Sequence, residues 1–452
     1  MKLLNRYRSL SDNTRNVLKN MVGAFGVKGL SLVVSLFTYP TYLEFFHNET
    51  ALGLWTTILS VLTWMLTFDF GIGNGLRNHL AKCLGEKNMS EAKRYVSSAY
   101  VSIGGVCLAA LGIFLALFRW INWNTVFNIE TSVVSDRSLR VAVCIVFVGI
   151  LLQMFLRNIN STLYALQLSS VNNMMTLGTS VLTLVTVLLM PSGSNDRNLI
   201  AMAVIHLLAV VIPQLIATLV VFVFSKYRAI APSLKECKKS YAQKVLTLGG
   251  AFFFVQLVYM LIMNTNEYLI TMYVGNEYVV EYSKYHKLFM LGSTVISLAM
   301  TPVWSAVTKA IAEKNYRWVK SLYKKMVLLG FVGTACEFLI IPFLQIGFNL
   351  WLGKHAITVH YGYAVAFAIM GSLMIFNSVL SSLANGLGKL RTQAVLFTLG
   401  AALKIPLAYV LVDVTGSWIG VLIANIVSMG LYCCIQPLTL RKLLRQLPDS
   451  QA

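Results

Sequence analysis

The sequence predicts an all-α polytopic membrane protein of about 12 transmembrane helices in two six-helix halves. Three observations predict it. Hydrophobic residues make up 57% of the 452 residues and charged residues only 12%, with a mean hydropathy of +0.69. A soluble chain is about a quarter charged, so this one has too little polar surface to solvate itself in water. The apolar residues fall in runs of bilayer length, and the Lys and Arg residues fall in the gaps between them.

A bilayer core needs roughly 20 apolar residues per helix. Runs near 21–45, 50–75, 96–118, 139–166, 173–191 and 199–224 form a first set. Runs near 246–273, 280–306, 322–346, 359–384, 392–413 and 417–438 form a second. Backbone groups in lipid must be satisfied within their own segment, so these runs are helices. The stretch through Asn20 is polar and basic and precedes a run long enough to span. It reads as a tail and not as a cleaved signal.

Orientation follows from the basic loops. Lys2, Arg6, Arg8, Arg15 and Lys19 lie on one side, with Lys82, Lys87, Lys93 and Arg94. Lys226, Arg228, Lys235, Lys238, Lys239 and Lys244 fall on that side too, as do Lys309, Lys314, Arg317, Lys320, Arg441, Lys442 and Arg445. The opposite loops hold only a scatter, so both termini are expected to be cytoplasmic. The net charge of +20 thus reports topology. Nucleic-acid binding would need basic residues gathered on a polar domain.

The longest basic connection divides the chain into an N-terminal six-helix bundle (1–225), a cytoplasmic linker (226–245) and a C-terminal six-helix bundle (246–452). The halves echo one another. Gly23-Ala24-Phe25 recurs as Gly250-Ala251-Phe252, and Glu86-Lys87-Asn88 as Glu313-Lys314-Asn315, both displaced by 227 (250 − 23 and 313 − 86). Six helices per half keep the two repeats parallel, related by a pseudo-two-fold axis along the membrane normal, an arrangement common in transporters.

Ionisable groups inside apolar spans are the candidates for function, since burial there is costly unless they face a cavity or a partner. Lys28 lies in the first span, on a polar stripe with Ser31, Ser35, Thr38 and Tyr42. Snorkelling to the headgroups is its competing reading. Arg157 lies deep in the fourth span beside Gln153, Asn160, Ser161 and Tyr164, and Lys404 near the middle of the eleventh, two residues before Pro406. Gln256, Asn264, Glu267 and Thr271 form a stripe in the seventh span, and Asn377, Ser381 and Asn385 in the tenth. Such stripes also join helices by hydrogen bonds, and a structural Lys404–Glu267 ion pair is an alternative for both residues. The three cations outnumber the acids taken into account, Asp69 and Glu267. A cavity with excess positive charge suits an anion, and a guanidinium fork matches phosphate oxygens in pairs.

Enzyme and metal chemistry find no support. No Walker loop occurs, the seven cysteines form no CxxC, and no His/Cys/carboxylate cluster has ligand spacing. Glu281, Lys284, His286 and Lys287 form a polar helix end that suits a vestibule or a simply solvated terminus.

Two regions resemble a known family. Ala51-Leu-Gly-Leu-Trp55 and Thr67-Phe-Asp-Phe-Gly-Ile-Gly-Asn-Gly-Leu-Arg-Asn78 resemble the second-helix region of polysaccharide transporters. Tyr285-His-Lys-Leu-Phe289, Thr301-Pro-Val-Trp304 and Ala312-Glu-Lys-Asn-Tyr-Arg-Trp318 resemble their eighth-helix region and the loop after it. The resemblance is to Wzx-type O-antigen and polysaccharide flippases of the multidrug/oligosaccharidyl-lipid/polysaccharide (MOP) superfamily, whose fold is MATE-like. It implies two bundles around a V-shaped cavity in a bacterial inner membrane. It implies flipping of an undecaprenyl-diphosphate-linked oligosaccharide, driven by a proton or sodium gradient and without a bound cofactor. Membrane lipids and a polysaccharide polymerase are the other implied partners. On this reading Lys28, Arg157, Lys404, Asn264 and Arg77 are expected to bind substrate, and Glu267 or Asp69 to couple the ion. A drug antiporter sharing the fold is the alternative, and it would favour an acid-dominated lumen.

Overall fold

The computed structural model describes residues 23–448 except 24, 25, 28, 32, 35, 36, 39, 40, 43, 67–69, 128 and 353–356. The first expected span, 21–45, falls partly outside these residues, and Lys28 and Asp69 fall wholly outside them. Among the described residues ten helices are long and apolar enough to cross a membrane, and no strand occurs. Each of the ten coincides with one expected span from 96–118 onward.

The second expected span, 50–75, is interrupted. Helix α1 (Glu49–Met65) and helix α2 (Ile72–Gly85) are separate, with Gly71 between them at φ +67°. A side chain at Gly71 would stand 2.0 Å from the Gly249 carbonyl oxygen, and one at Gly75 2.4 Å from that of Val245. Gly71 and Gly75 are thus the means of a backbone-to-backbone approach that no other residue permits.

The chain divides into two compact units, Met1–Phe253 and Phe254–Ala452. The first continues through α3 (Met89–Phe118), α4 (Asp136–Leu156), α5 (Asn158–Ala165), α6 (Ser169–Leu189) and α7 (Asn195–Leu219). Helix α8 (Lys239–Met263) bridges into the second unit. There follow α9 (Asn266–Tyr273), α10 (Asn276–Ala312), α11 (Tyr316–Ile340), α12 (Leu344–Leu352), α13 (Tyr361–Gly386), α14 (Arg391–Thr415) and α15 (Ile419–Gln446).

Within the first unit α4 packs along α7; within the second, α10 packs along α13 and α14 along α15. One end of the second unit is knit by aromatic rings. Tyr285 stacks on Phe367 at 5.5 Å, Phe367 meets Trp418 at 6.1 Å, and the Trp418 indole N–H donates to Glu281 at 3.0 Å. Glu281 thereby joins two helices at this end of the unit.

The repeat seen in the sequence has a structural counterpart. Lys87 and Lys314 both adopt left-handed backbone, at φ 57° and 58°. In both turns the following Asn donates its N–H back across the helix end, Asn88 to Cys83 at 2.9 Å and Asn315 to Ala310 at 2.8 Å. These are Schellman closures, which satisfy helix-end carbonyls. Each Asn side chain then caps the next helix, accepting from the Glu91 and Trp318 amides. The same short sequence thus makes the same hairpin twice.

Candidate functional site

The polar cavity of the first unit is built around a helix break. The α4 ladder ends at Arg157, whose N–H still donates to Gln153 at 2.8 Å, and the next bond is the tighter Asn160 to Arg157 at 2.9 Å. The turn between α4 and α5 leaves the Arg157 side chain exposed. Its guanidinium Nη1 donates to the Leu66 carbonyl at 2.9 Å, just beyond the end of α1. A cation is favourable at a helix C-terminus, where the peptide dipoles leave partial negative charge.

Around Arg157 lies a cavity of about 360 Å³, lined by Gln153, Asn160, Asn172, Thr176, Thr179 and Gln214 with Leu66, Met175 and Val210. Asn172 donates its amide to the Asn160 carbonyl at 3.0 Å. The Oδ1 atoms of Asn160 and Asn172 and the Oε1 of Gln214 are buried with no hydrogen-bond partner. Unpaired buried acceptors are uncommon and costly, so this wall holds unused capacity to accept from hydroxyl or N–H groups. Among the described residues no acidic side chain lines the cavity. Among the described residues its chemistry is therefore one exposed cation with a fork of donors, set in a wall of amides and hydroxyls.

Gln153 and Asn160 join Arg157 at the cavity, as their spacing suggests. Tyr164 does not; its ring lies under the Arg77 guanidinium, 4.6 Å from centroid to Cζ. Arg77 is buried at 4% exposure and packs between helices.

In the second unit the seventh expected span is broken at Asn264 and Thr265, between α8 and α9. Lys404, on α14, is 1% exposed. Its ammonium donates to the Ile262 carbonyl and, at 2.8 Å, to the Thr265 hydroxyl, which itself donates to Leu261 at 2.7 Å. The Lys404–Glu267 ion pair is not formed. Asn264 and Glu267 are both exposed. The stripe of the tenth span serves helix joining: Ser381 meets Asn377, Gln393 and Tyr432 within 3.1 Å.

A second hollow of about 500 Å³ lies between Lys320, Lys324, Arg441 and Arg445. Lys320, Arg441 and Arg445 belong to the basic helix ends from which the expected orientation was read. One acid in the middle of an apolar run is absent from the expected site residues: Glu337, on α11, is 2% exposed. The signal was present, since Glu337 is the single acidic residue of the expected span 322–346.

No protein-family model matches the chain. A protein of Yersinia pseudotuberculosis named "Putative O-antigen export protein" is 22% identical over 333 residues, 71% of this chain and 72% of that protein. A multidrug resistance MATE family transporter of the MOP superfamily, solved in an outward-facing conformation, superposes with a TM-score of 0.74. It is 16% identical, covering 97% of this chain and 98% of its own. A MOP superfamily transporter from Pyrococcus furiosus, whose binding pocket is described as of reverse polarity, gives 0.73 at 16% identity over the same shares. The expected MATE-like fold of the MOP superfamily is thus the fold of this chain. The relatives found are transporters and an export protein, not enzymes.

Proposed function

We propose that the chain is a flippase that carries a lipid-linked oligosaccharide, of the O-antigen or a related glycan type, from the cytoplasmic to the periplasmic leaflet. The observation that carries this reading is the Arg157 cavity, with its single cation, its unpaired amide oxygens and no acidic lining among the described residues. Arg157 pairs with a diphosphate through two parallel N–H···O bonds. Asn160, Asn172 and Gln214 accept hydrogen bonds from sugar hydroxyls, and the polyprenyl chain stays in lipid. The similarity to an O-antigen export protein supports the same substrate class.

The two bundles work by alternating access in the inner membrane, with both termini cytoplasmic and with an assembly polymerase as a downstream partner. Glu267 or Asp69 couples the cycle to a proton or sodium gradient. Lys28 and Asn264 complete the expected substrate path, whereas Arg77 and Lys404, expected there too, are buried and hold helices together. The likeness to a multidrug transporter keeps drug antiport as the second reading; an organic cation, however, gains nothing from a cavity whose charged group is Arg157.

The test is Arg157→Ala beside Arg157→Lys, each scored for membrane abundance and for surface glycan. Among the described residues Arg157 donates one hydrogen bond, on an exposed side chain, so Ala is expected at normal abundance with glycan display lost. Lys keeps the charge but not the fork and is expected to display partially. Full display by an abundant Arg157→Ala protein contradicts the reading.

A further inference from the structure

Glu337 stands on α11 where that helix meets α10 and α13. Its carboxyl group occupies a socket that two glycines leave open. A Cβ built on Gly292 of α10 would fall 2.3 Å from Oε1, and one on Gly371 of α13 would fall 2.9 Å from Cδ. Ile375, packed within 3.1 Å of where a side chain at Gly333 would begin, closes the wall. Three helices therefore keep a carboxyl-sized space free of side chains. The Glu337 Oε2 is buried there with no hydrogen-bond partner, as is the Thr334 hydroxyl one turn earlier.

Among the described residues no charge compensates the group. On α10, Lys287 is five residues from Gly292, about 7.5 Å along the axis, and is exposed. His286 stacks on Tyr282, Glu281 accepts from Trp418, and Lys284 lies about 12 Å along the axis. Lys309, at the far end, pairs with Glu313. Helix α13 has only Tyr361 and Tyr363 as titratable groups, both in its first turn, and Tyr363 bonds Ser417. On α11 itself Lys324 and Lys325 are at least twelve residues back, and Cys336 is exposed. Among the described residues no ion pair includes Glu337. An ionised carboxylate in apolar surroundings without a partner is strongly disfavoured, whereas a neutral acid is tolerated.

We propose that Glu337 is a proton-binding site whose carboxyl carries a proton while α10, α11 and α13 are packed as in this structure and gives it to water when the socket opens. In the step, hydronium transfers its proton to the carboxylate, forming the acid and water, and the reverse occurs on release. Resting on the reading of the chain as an alternating-access carrier, this makes repacking of the second unit depend on proton uptake. The glycines are what permit it, since they let the helices close on the neutral carboxyl.

The experiment is infrared difference spectroscopy on the purified chain in lipid vesicles, and it needs no glycan substrate. Wild type is expected to show the carbonyl stretch of a protonated carboxyl at neutral pH and to lose it at high pH. Glu337→Gln, which fits the same socket uncharged, is expected to lack that band, and Glu267→Gln to retain it. Absence of the band from wild type overturns the proposal without recourse to any variant, and so does its persistence in Glu337→Gln. Displacement of the band by sodium, but not by choline, at constant pH overturns it in favour of a sodium site. Failure of the Arg157 test leaves these outcomes unaffected, so the two readings fail separately.

Discussion

Replacing Lys404 with Met removes a charge from the second unit while keeping most of the side chain's length. The ammonium is 1% exposed and holds two acceptors, the Ile262 carbonyl and the Thr265 hydroxyl. Ile262 lies in the last turn of α8, among the four carbonyls that lack a helical partner. After substitution the carbonyl is orphaned, at a cost of about 1–3 kcal/mol. Thr265 keeps its bond to Leu261 and adds little. The charge removed was itself expensive to bury, which holds the net loss to the lower part of that range. For a unit of this size each kcal/mol lowers the apparent melting temperature by about 2–4 °C. Thermal scans in detergent, with membrane abundance and glycan display per molecule, test this. Lys404→Met is expected to melt earlier and to be less abundant, with display per surviving molecule largely kept. Thr265→Val combined with Lys404→Met is expected to cost less than the sum of the singles, because they share one network. Normal melting and abundance with display abolished would refute the capping argument and return Lys404 to substrate binding.

Three further outcomes follow from the geometry. Gly75→Ala drives a methyl to 2.4 Å from the Val245 carbonyl, whereas Gly105→Ala meets nothing within 4 Å. The first is expected to lose about 1–3 kcal/mol, and the second to be neutral or to gain up to about 1 kcal/mol, as read by thermal scans. His79, stacked on Tyr95 at 4.5 Å, is held below its ordinary pKa chiefly by burial, aided by Lys82 and Lys244 against a bond to the Lys244 carbonyl. A depressed histidine pKa means that the unfolded chain binds more protons below about pH 6.5, so stability falls on acidification through that value; His79→Phe is expected to flatten this dependence. Reporter fusions at Lys239 and Ser194 are expected to lie on opposite sides of the membrane, and identical sides would undo the positive-loop assignment.

The span pattern was readable because lipid imposes a single rule: cover the backbone and keep charge out. The Glu86–Asn88 and Glu313–Asn315 turns were readable because a three-residue repeat encodes one closure. The breaks at Arg157 and at Asn264–Thr265 were not, because what holds them comes from elsewhere in the chain. Leu66 receives the Arg157 guanidinium from 91 residues away, and Lys404 reaches the α8 end across 142. The sequence placed Gln153 and Asn160 beside Arg157 by helical spacing, but Asn172 and Gln214 lie on other helices and have no local signal. Glu337 was visible as a lone acid in an apolar run, yet its meaning rests on Gly292 and Gly371, which only the packing brings to it.

Direct translocation tests the central claim most closely. The purified chain in vesicles with a fluorescent undecaprenyl-diphosphate-linked oligosaccharide, scored by quencher access to the outer leaflet, is expected to exchange the lipid between leaflets, and Arg157→Ala is expected to abolish the exchange. Vesicles in which wild type leaves that lipid in place but moves an organic cation drug against a gradient would contradict the account.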